Sequence, residues 1–280
     1  MYQPFYAVVA LSALSFGSFA QSESNEVFIK QLGEANRAQV EQGLDDADTK
    51  DNLVSIHQEG YGNEVNTLQG SGSIDLKGDI TFVNNNTVDV QQLGSGNQVF
   101  TRQGVLATSV DNDIFIQQKG SDNLANVLQG VEGYDVSKGN HTDIQQEGNS
   151  NESFVRQGLF GTAENNSVSV LQQGNSNNVD VSQGTALITQ ESEAIIQQEG
   201  SNNFAAISQD TDNSYGFIRQ KGESNFATIS QIYLGFENEA VVQQNGNLNS
   251  LEVLQSGTGD LVNVQQQGEG NLAIVNQGEF

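Results

Sequence analysis

One short pattern, Q-x-G-x2-N-x5-Q, recurs ten times between Asn25 and Gln277 and leaves this chain few ways to fold. Its first glutamine falls at Gln31, Gln58, Gln92, Gln118, Gln146, Gln172, Gln198, Gln220, Gln244 and Gln266. Two places later comes a glycine in every unit: Gly33, Gly60, Gly94, Gly120, Gly148, Gly174, Gly200, Gly222, Gly246 and Gly268. An asparagine follows three further on, from Asn36 to Asn271, and a second glutamine closes each unit, from Gln42 to Gln277. Self-similarity at a period of 20 to 50 residues is the mark of a stacked repeat architecture.

Alternation within each unit gives the local structure. Two places before the first glutamine stands a β-branched residue in all ten units, from Ile29 to Val264. Four places after the asparagine stands another, from Val40 to Val275. Six places before the glutamine lies a small polar residue, such as Asn25, Ser192, Ser214 or Asp260. Period-two alternation on both sides of a glycine predicts two strands per unit, each with one recurrent inward face. The opposite face carries Lys30, Arg37, Glu41, Asp89, Arg156 and Arg219 and reads as solvent-facing.

Inward glutamine and asparagine are costly unless their amides find partners. Identical amides stacked at the strand spacing of about 4.8 Å satisfy one another. On this reading Gln31, Asn36, Gln42, Gln198, Asn203, Gln209, Gln220, Asn225, Gln231, Gln266, Asn271 and Gln277 belong to such ladders. The ten glycines would turn the chain between strands, where positive φ or close backbone approach is required. About four inward apolar side chains cannot offset the entropy of ordering some twenty residues, so a lone unit does not fold and stacking must supply the rest. The expected fold is therefore all-β: a cross-β, amyloid-like solenoid with two strands per rung, about ten rungs and roughly 48 Å of height. Residues 21–280 form one domain in this reading.

Composition agrees and narrows the function. Proline occurs once, at Pro4, so nothing later interrupts strand pairing. A net charge of −25, with the ten basic residues scattered singly, argues against nucleic acid and anionic membranes as partners. The run Tyr6 to Phe16 followed by Ser18-Phe19-Ala20 reads as a secretory signal, residues 1–20, and no other stretch approaches membrane-spanning length. Connectors between units vary. Repeats of 22 residues separate Gln198 from Gln220 and Gln244 from Gln266, whereas Gly70 to Asn85 is a longer excursion whose Ile74, Leu76, Ile80 and Phe82 alternate as in a small extra hairpin.

Catalytic chemistry finds little footing. There is no cysteine, and the two histidines, His57 and His141, read as solvated surface residues. Asp45, Asp46, Asp48 and Asp51, and the pair Asp210 and Asp212, lack the glycine and closing glutamate of a calcium loop, so solvated acidic loops are expected rather than a metal site. Neither a cofactor nor an enzymatic activity is expected. Phe28, Phe115, Ile195, Phe217 and Val241 share one outward position, either as a lateral patch or as scattered surface residues.

In full, the repeat reads S-x5-Q-x-G-x2-N-x-A-x3-Q and resembles the curlin repeat of bacterial curli subunits. Two units match it at each fixed point: Ser192, Gln198, Gly200, Asn203, Ala205, Gln209, and Ser214, Gln220, Gly222, Asn225, Ala227, Gln231. The resemblance implies a secreted subunit that polymerises at the cell surface into a pilus-like functional amyloid for biofilm matrix, adhesion and colonisation. Its implied partners are copies of itself, other curli subunits, an outer-membrane secretion pore and periplasmic accessory proteins. Three features depart from the family pattern. The chain has ten repeats where well-studied curlins carry about five, only Gln21 to Ser24 stand where the major subunit has a glycine-rich segment, and charged units such as Lys119-Gly-Ser-Asp resemble minor, nucleating subunits. The well-formed last repeat, Asn271 to Gln277, favours a fibre-forming subunit over a nucleator. A monomeric ligand-binding solenoid would need a flat outward face of one residue type, which Phe28, Ser55, Asp89, Phe115 and Asp143 do not provide.

Overall fold

The computed structural model describes residues 7–8, 22–45, 48–72, 82–105, 107–131, 136–159, 161–184, 189–232 and 235–278. Described residues form a parallel β-solenoid without a helix. Ten leading strands, each nine residues long, run from Glu26–Glu34 to Leu261–Glu269 and pair in chain order. Ten trailing strands, from Arg37–Asp45 to Leu272–Gln277, form a second sheet in the same order. We number the rungs 1 to 10 by these pairs. Register advances by one whole unit at each of the nine steps, so Gln31 lies on Gln58 and Gln42 on Gln69.

Alternation does what period two requires. In Leu53–Tyr61 the buried residues are Val54, Ile56 and Gln58, and the residues between them are partly open. Stacking brings Val54, Val88, Ile114, Val168, Ala194 and their facing partners Val65, Val99, Ala125 and Val179 into one continuous dry core. At the two ends this core is only partly covered, at Val27, Ile29, Ala38 and Val40 in rung 1 and at Val264, Ala273 and Val275 in rung 10.

The expectation of two strands per rung gives way to three sheets. Short strands from Ser22–Glu23 to Thr189–Gln190 precede the leading strands of rungs 1 to 7 and form a seven-stranded third sheet. Connectors of the longer repeats carry enough chain to lay two or three residues parallel to the stack. Those before rungs 8 to 10 are shorter, and among the described residues the third side continues there as an isolated bridge, Asp212 to Phe236, and a hydrogen bond from Gly259 N–H to Phe236 O. Within the 70–85 excursion, Phe82–Asn84 belongs to this third sheet, between Asp48–Lys50 and Thr108–Val110. The hairpin expected there falls on residues 73–81, outside the described residues. So does the leader of residues 1–20, apart from Ala7–Val8, which pairs antiparallel with Gln31 and Lys30 on the outer edge of rung 1.

Candidate functional site: the stacking columns and their open ends

The site is built on the glycine arc. All ten glycines of the repeat have φ between +104° and +130°, a region closed to most side chains. Crowding reinforces the requirement. A Cβ on Gly120 would run into the backbone carbonyl oxygen of Gly148 on the next rung, whereas one on Gly268, with no rung above it, would meet nothing closer than Asn271 Nδ2 at 3.7 Å.

From this arc two glutamine columns run the length of the stack. In the first, Gln31 Nε2 donates to Gln58 Oε1 at 2.6 Å, and the bond repeats through all nine steps, including Gln198 to Gln220 at 2.9 Å and Gln244 to Gln266 at 2.8 Å. The second runs from Gln42 to Gln277 in the same sense, with Gln209 donating to Gln231 at 2.9 Å. Donors always point toward the higher-numbered rung.

Asparagines run the other way. Asn63 Nδ2 and its backbone N–H both donate to Asn36 Oδ1, at 3.1 and 3.0 Å, and this pair recurs up to Asn271, whose Nδ2 donates to Asn249 Oδ1 at 2.8 Å. Asn203 and Asn225 take part in the same way, at 3.0 Å. Backbone contacts fix the amide orientation: from Asn36 to Asn249 the asparagine Oδ1 accepts the main-chain N–H of the next asparagine, and most glutamine Nε2 groups also donate to a main-chain carbonyl, as Gln220 does to Phe204 O at 2.8 Å. In the interior rungs the glutamines and asparagines of these three columns are buried and hydrogen-bonded to the next rung, which removes the desolvation cost that would otherwise exclude them from a core.

A fourth polar column begins each leading strand. Asn52, Asn86, Asn112, Asn140 and Asn166 each donate Nδ2 to a carbonyl of the third sheet on the next rung, as Asn140 does to Ala163 O at 2.7 Å. Where the third sheet ends, serines take over: Ser192 Oγ donates to Thr211 O at 2.8 Å, and Ser214 N–H donates to Ser192 Oγ at 3.1 Å. Asn238 returns to asparagine without a third strand beside it, and its buried Nδ2 has no hydrogen-bond partner.

Outward columns carry the charge. Lys119 meets Glu147 at 2.8 Å and Lys221 meets Glu199 at 2.9 Å, each across one step of the stack. The hydrogen bond to Glu147, together with its charge, holds the Lys119 ammonium above the ordinary lysine value. Both histidines differ from the solvated reading. His57 is half-buried with Nε2 enclosed and unpartnered, and His141 packs its ring 5.5 Å from that of Phe115, which lies on the rung below, two residues after Asp113, the column neighbour of His141. In the outward apolar column, Ile195, Phe217 and Val241 are consecutive in register, whereas Phe28 and Phe115 stand apart, next to Ser55, Asp89 and Asp143. Among the described residues no group of three or more His, Cys, Asp or Glu converges on one point.

Sequence reasoning missed the turning residue of the third side, although a signal for it exists. The first six units close on Gln-Gly, at Gly43, Gly70, Gly104, Gly130, Gly158 and Gly184, each with φ between +59° and +72°. Units 7 to 9 close instead on Gln209-Asp210, Gln231-Ile232 and Gln255-Ser256. This change coincides with the end of the third sheet.

Residues 189–222 and 211–257 match the family model of the curlin associated repeat, which places the match on rungs 7 to 9. No curated protein matches the chain.

Proposed function

We propose, from the match of residues 189–257 to the curlin associated repeat, that the chain is a curlin-repeat protein and a fibre-forming subunit of an extracellular curli-type amyloid, exported after removal of residues 1–20. In this role the ladder residues Gln31, Asn36, Gln42, Gln266, Asn271 and Gln277 form the joint between copies. Other partners would be companion curli subunits, the secretion pore and its accessory proteins. The products of assembly would be biofilm matrix and adhesive surface fibres.

Complementarity of the two ends carries the proposal. Rung 1 turns the side-chain carbonyls of Gln31 and Gln42 outward along the stack axis, since their Nε2 groups are already directed to Gln58 and Gln69. Rung 10 offers the matching donors. Gln266 Nε2 and Gln277 Nε2 reach only the main-chain carbonyls of Ser250 and Leu261. Asn271 Oδ1, in turn, lies where the N–H of Asn36 in a second copy would donate. Head-to-tail docking therefore continues all three columns, whereas head-to-head docking would set acceptor against acceptor. Parallel edges with unpaired backbone groups and a partly open core at each end favour the same association. The resulting fibre is polar, with every subunit facing the same way.

Residues 21–280 contain every rung. At micromolar concentration they should convert within days to dye-binding fibres with a meridional spacing near 4.8 Å. A chain that stays monomeric under seeding would sink the proposal. Seeding also separates the two curli roles: a fibre subunit seeds its own monomer best, whereas a nucleator accelerates a companion subunit more than itself.

A further inference from the structure

Charge is distributed along the stack by a rule that the net composition hides. At no register pair among the described strands does an acid lie on an acid, or a lysine or arginine on another, although acids outnumber bases by 35 to 10 in the chain. Five register pairs are of opposite sign: Arg37 on Glu64, Glu23 on Lys50, Lys119 on Glu147, Lys138 on Glu164 and Glu199 on Lys221. Every other charged strand residue has neutral neighbours above and below, or His57 in the case of Lys30 and His141 in the case of Asp113. Directly opposed like charges destabilise a sheet, and the internal steps contain none.

Continuing the same register from rung 10 onto rung 1 of a second copy breaks the rule at one place. Leu261 falls on Glu26, Gln265 on Lys30, Leu272 on Arg37 and Asn276 on Glu41, all acceptable pairs. Glu269, however, falls on Glu34. This column lies just after the turn glycine, and inside the chain it reads Glu34, Tyr61, Ser95, Ser121, Asn149, Asn175, Ser201, Glu223, Asn247, Glu269, with no two charges adjacent. Its side chains touch from rung to rung, since Ser95 Oγ lies 3.2 Å from Ser121 Oγ and Asn149 Nδ2 donates to Asn175 Oδ1 at 3.0 Å. Glu34 and Glu269 are both exposed. Within the copy each belongs to, they face Tyr61 and Asn247. Arg37, on the far side of the arc, occupies another column and lies 3.8 Å from Glu64.

We infer that the Glu269–Glu34 contact is a like-charge brake built into the joint between copies, making end-to-end docking weaker than any step inside the chain. The inference rests on the head-to-tail fibre proposed above and adds what limits its growth. Opposed carboxylates at an exposed sheet position have a modest effect, so removing one should lower the monomer concentration left at the fibre plateau by about two- to fivefold.

The test compares residues 21–280 carrying Glu34→Gln, Glu269→Gln or Glu223→Gln, each seeded with its own fibres. All three remove one negative charge, but Glu223 sits inside the stack between Ser201 and Asn247. Glu34→Gln and Glu269→Gln should leave less residual monomer and elongate faster, and Glu223→Gln should match the wild type. Glu34→Lys should go further than Glu34→Gln, and adding Glu269→Lys to it should restore the slow joint. Equal shifts in all three Gln variants would mean that net charge alone matters, overturning the brake while leaving the fibre intact. Absence of fibres from every form, wild type included, would instead bring down the fibre reading and the brake with it.

Discussion

Rungs 1 to 7 and rungs 8 to 10 share the same two long strands yet close their circuits differently. On the way into each of rungs 2 to 7 the chain leaves the preceding trailing strand through a left-handed glycine and lays down a short third strand, which is held by the Nδ2 of the asparagine heading the rung below. In the second group the glycine is replaced by Asp210, Ile232 or Ser256 and the third strand is gone. The family match falls on the boundary and the compact rungs, 189–257, not on the longer N-terminal units. What the two groups hold in common, the glutamine and Asn36-type columns, is what stacking needs. What differs is the third side, which varies without disturbing the columns because each rung touches only its neighbours.

The largest difference between the groups should appear at the closing glycine. Gly130 has φ +59°, and a Cβ there would lie 2.8 Å from that of Ser137 on the third strand. Gly130→Val combines a β-branched residue at positive φ with that clash and should cost about 2 kcal/mol or more. The reverse change in a compact rung, Ser256→Gly, adds backbone freedom and gives up one side-chain bond, from Ser256 Oγ to Gln277 O at 3.3 Å, and should cost about 1 kcal/mol or less. Denaturant unfolding of freshly purified monomer compares the two, and similar losses would mean that the corner glycine is not tied to the third strand.

Next in size is a pair of substitutions with opposite signs. Asn140→Ser removes the Nδ2 that serves Ala163 O, Asn112 Oδ1 and Ser137 Oγ, and should cost about 1–2 kcal/mol. Asn238→Ser removes a buried donor that has no partner. It keeps an oxygen able to accept the Asp260 N–H, as Ser192 Oγ accepts that of Ser214, and should gain about 1 kcal/mol. If Asn238→Ser destabilises as much as Asn140→Ser, the fourth column does not follow the third sheet.

Much of this arrangement is legible in the residues, and the rest fails for identifiable reasons. Fixed spacing and β-branched residues at period two are enough to place both long strands and their inward faces. Short strands such as Ala163–Glu164 and Thr189–Gln190 are too brief to show any period, so the third sheet is not readable by alternation, although the Gln-Gly closures mark it. Amide direction is equally hidden, because Gln31 and Asn36 look alike as ladder residues until backbone partners orient them oppositely. His57 and His141 read as surface residues because outward parity says nothing of how closely neighbouring rungs cover them.

The smallest effect expected lies in a compact rung. Tyr215 opens the leading strand of rung 8, and its register neighbours are Glu193 below and Glu239 above. Partial burial, and then those two carboxylates, raise its phenol above the ordinary value of 10.0. In rungs 4 to 6 of the three-sided section the same column holds Asp113, His141 and Ser167, so this titration belongs to the compact group alone. The folded state thus prefers the neutral phenol more than the unfolded chain does. Its contribution to stability is whole below the ordinary tyrosine range and is lost as pH rises through the raised value. Ring-labelled tyrosine NMR, with Tyr215→Phe to assign the signal among the six tyrosines, should find Tyr215 titrating above the ordinary tyrosine value. Glu193→Gln should bring it only part of the way down, because burial is the larger cause. A full return to the ordinary value in that variant would reverse the order of causes and make the carboxylate neighbours, rather than packing, the feature that sets rung 8 apart.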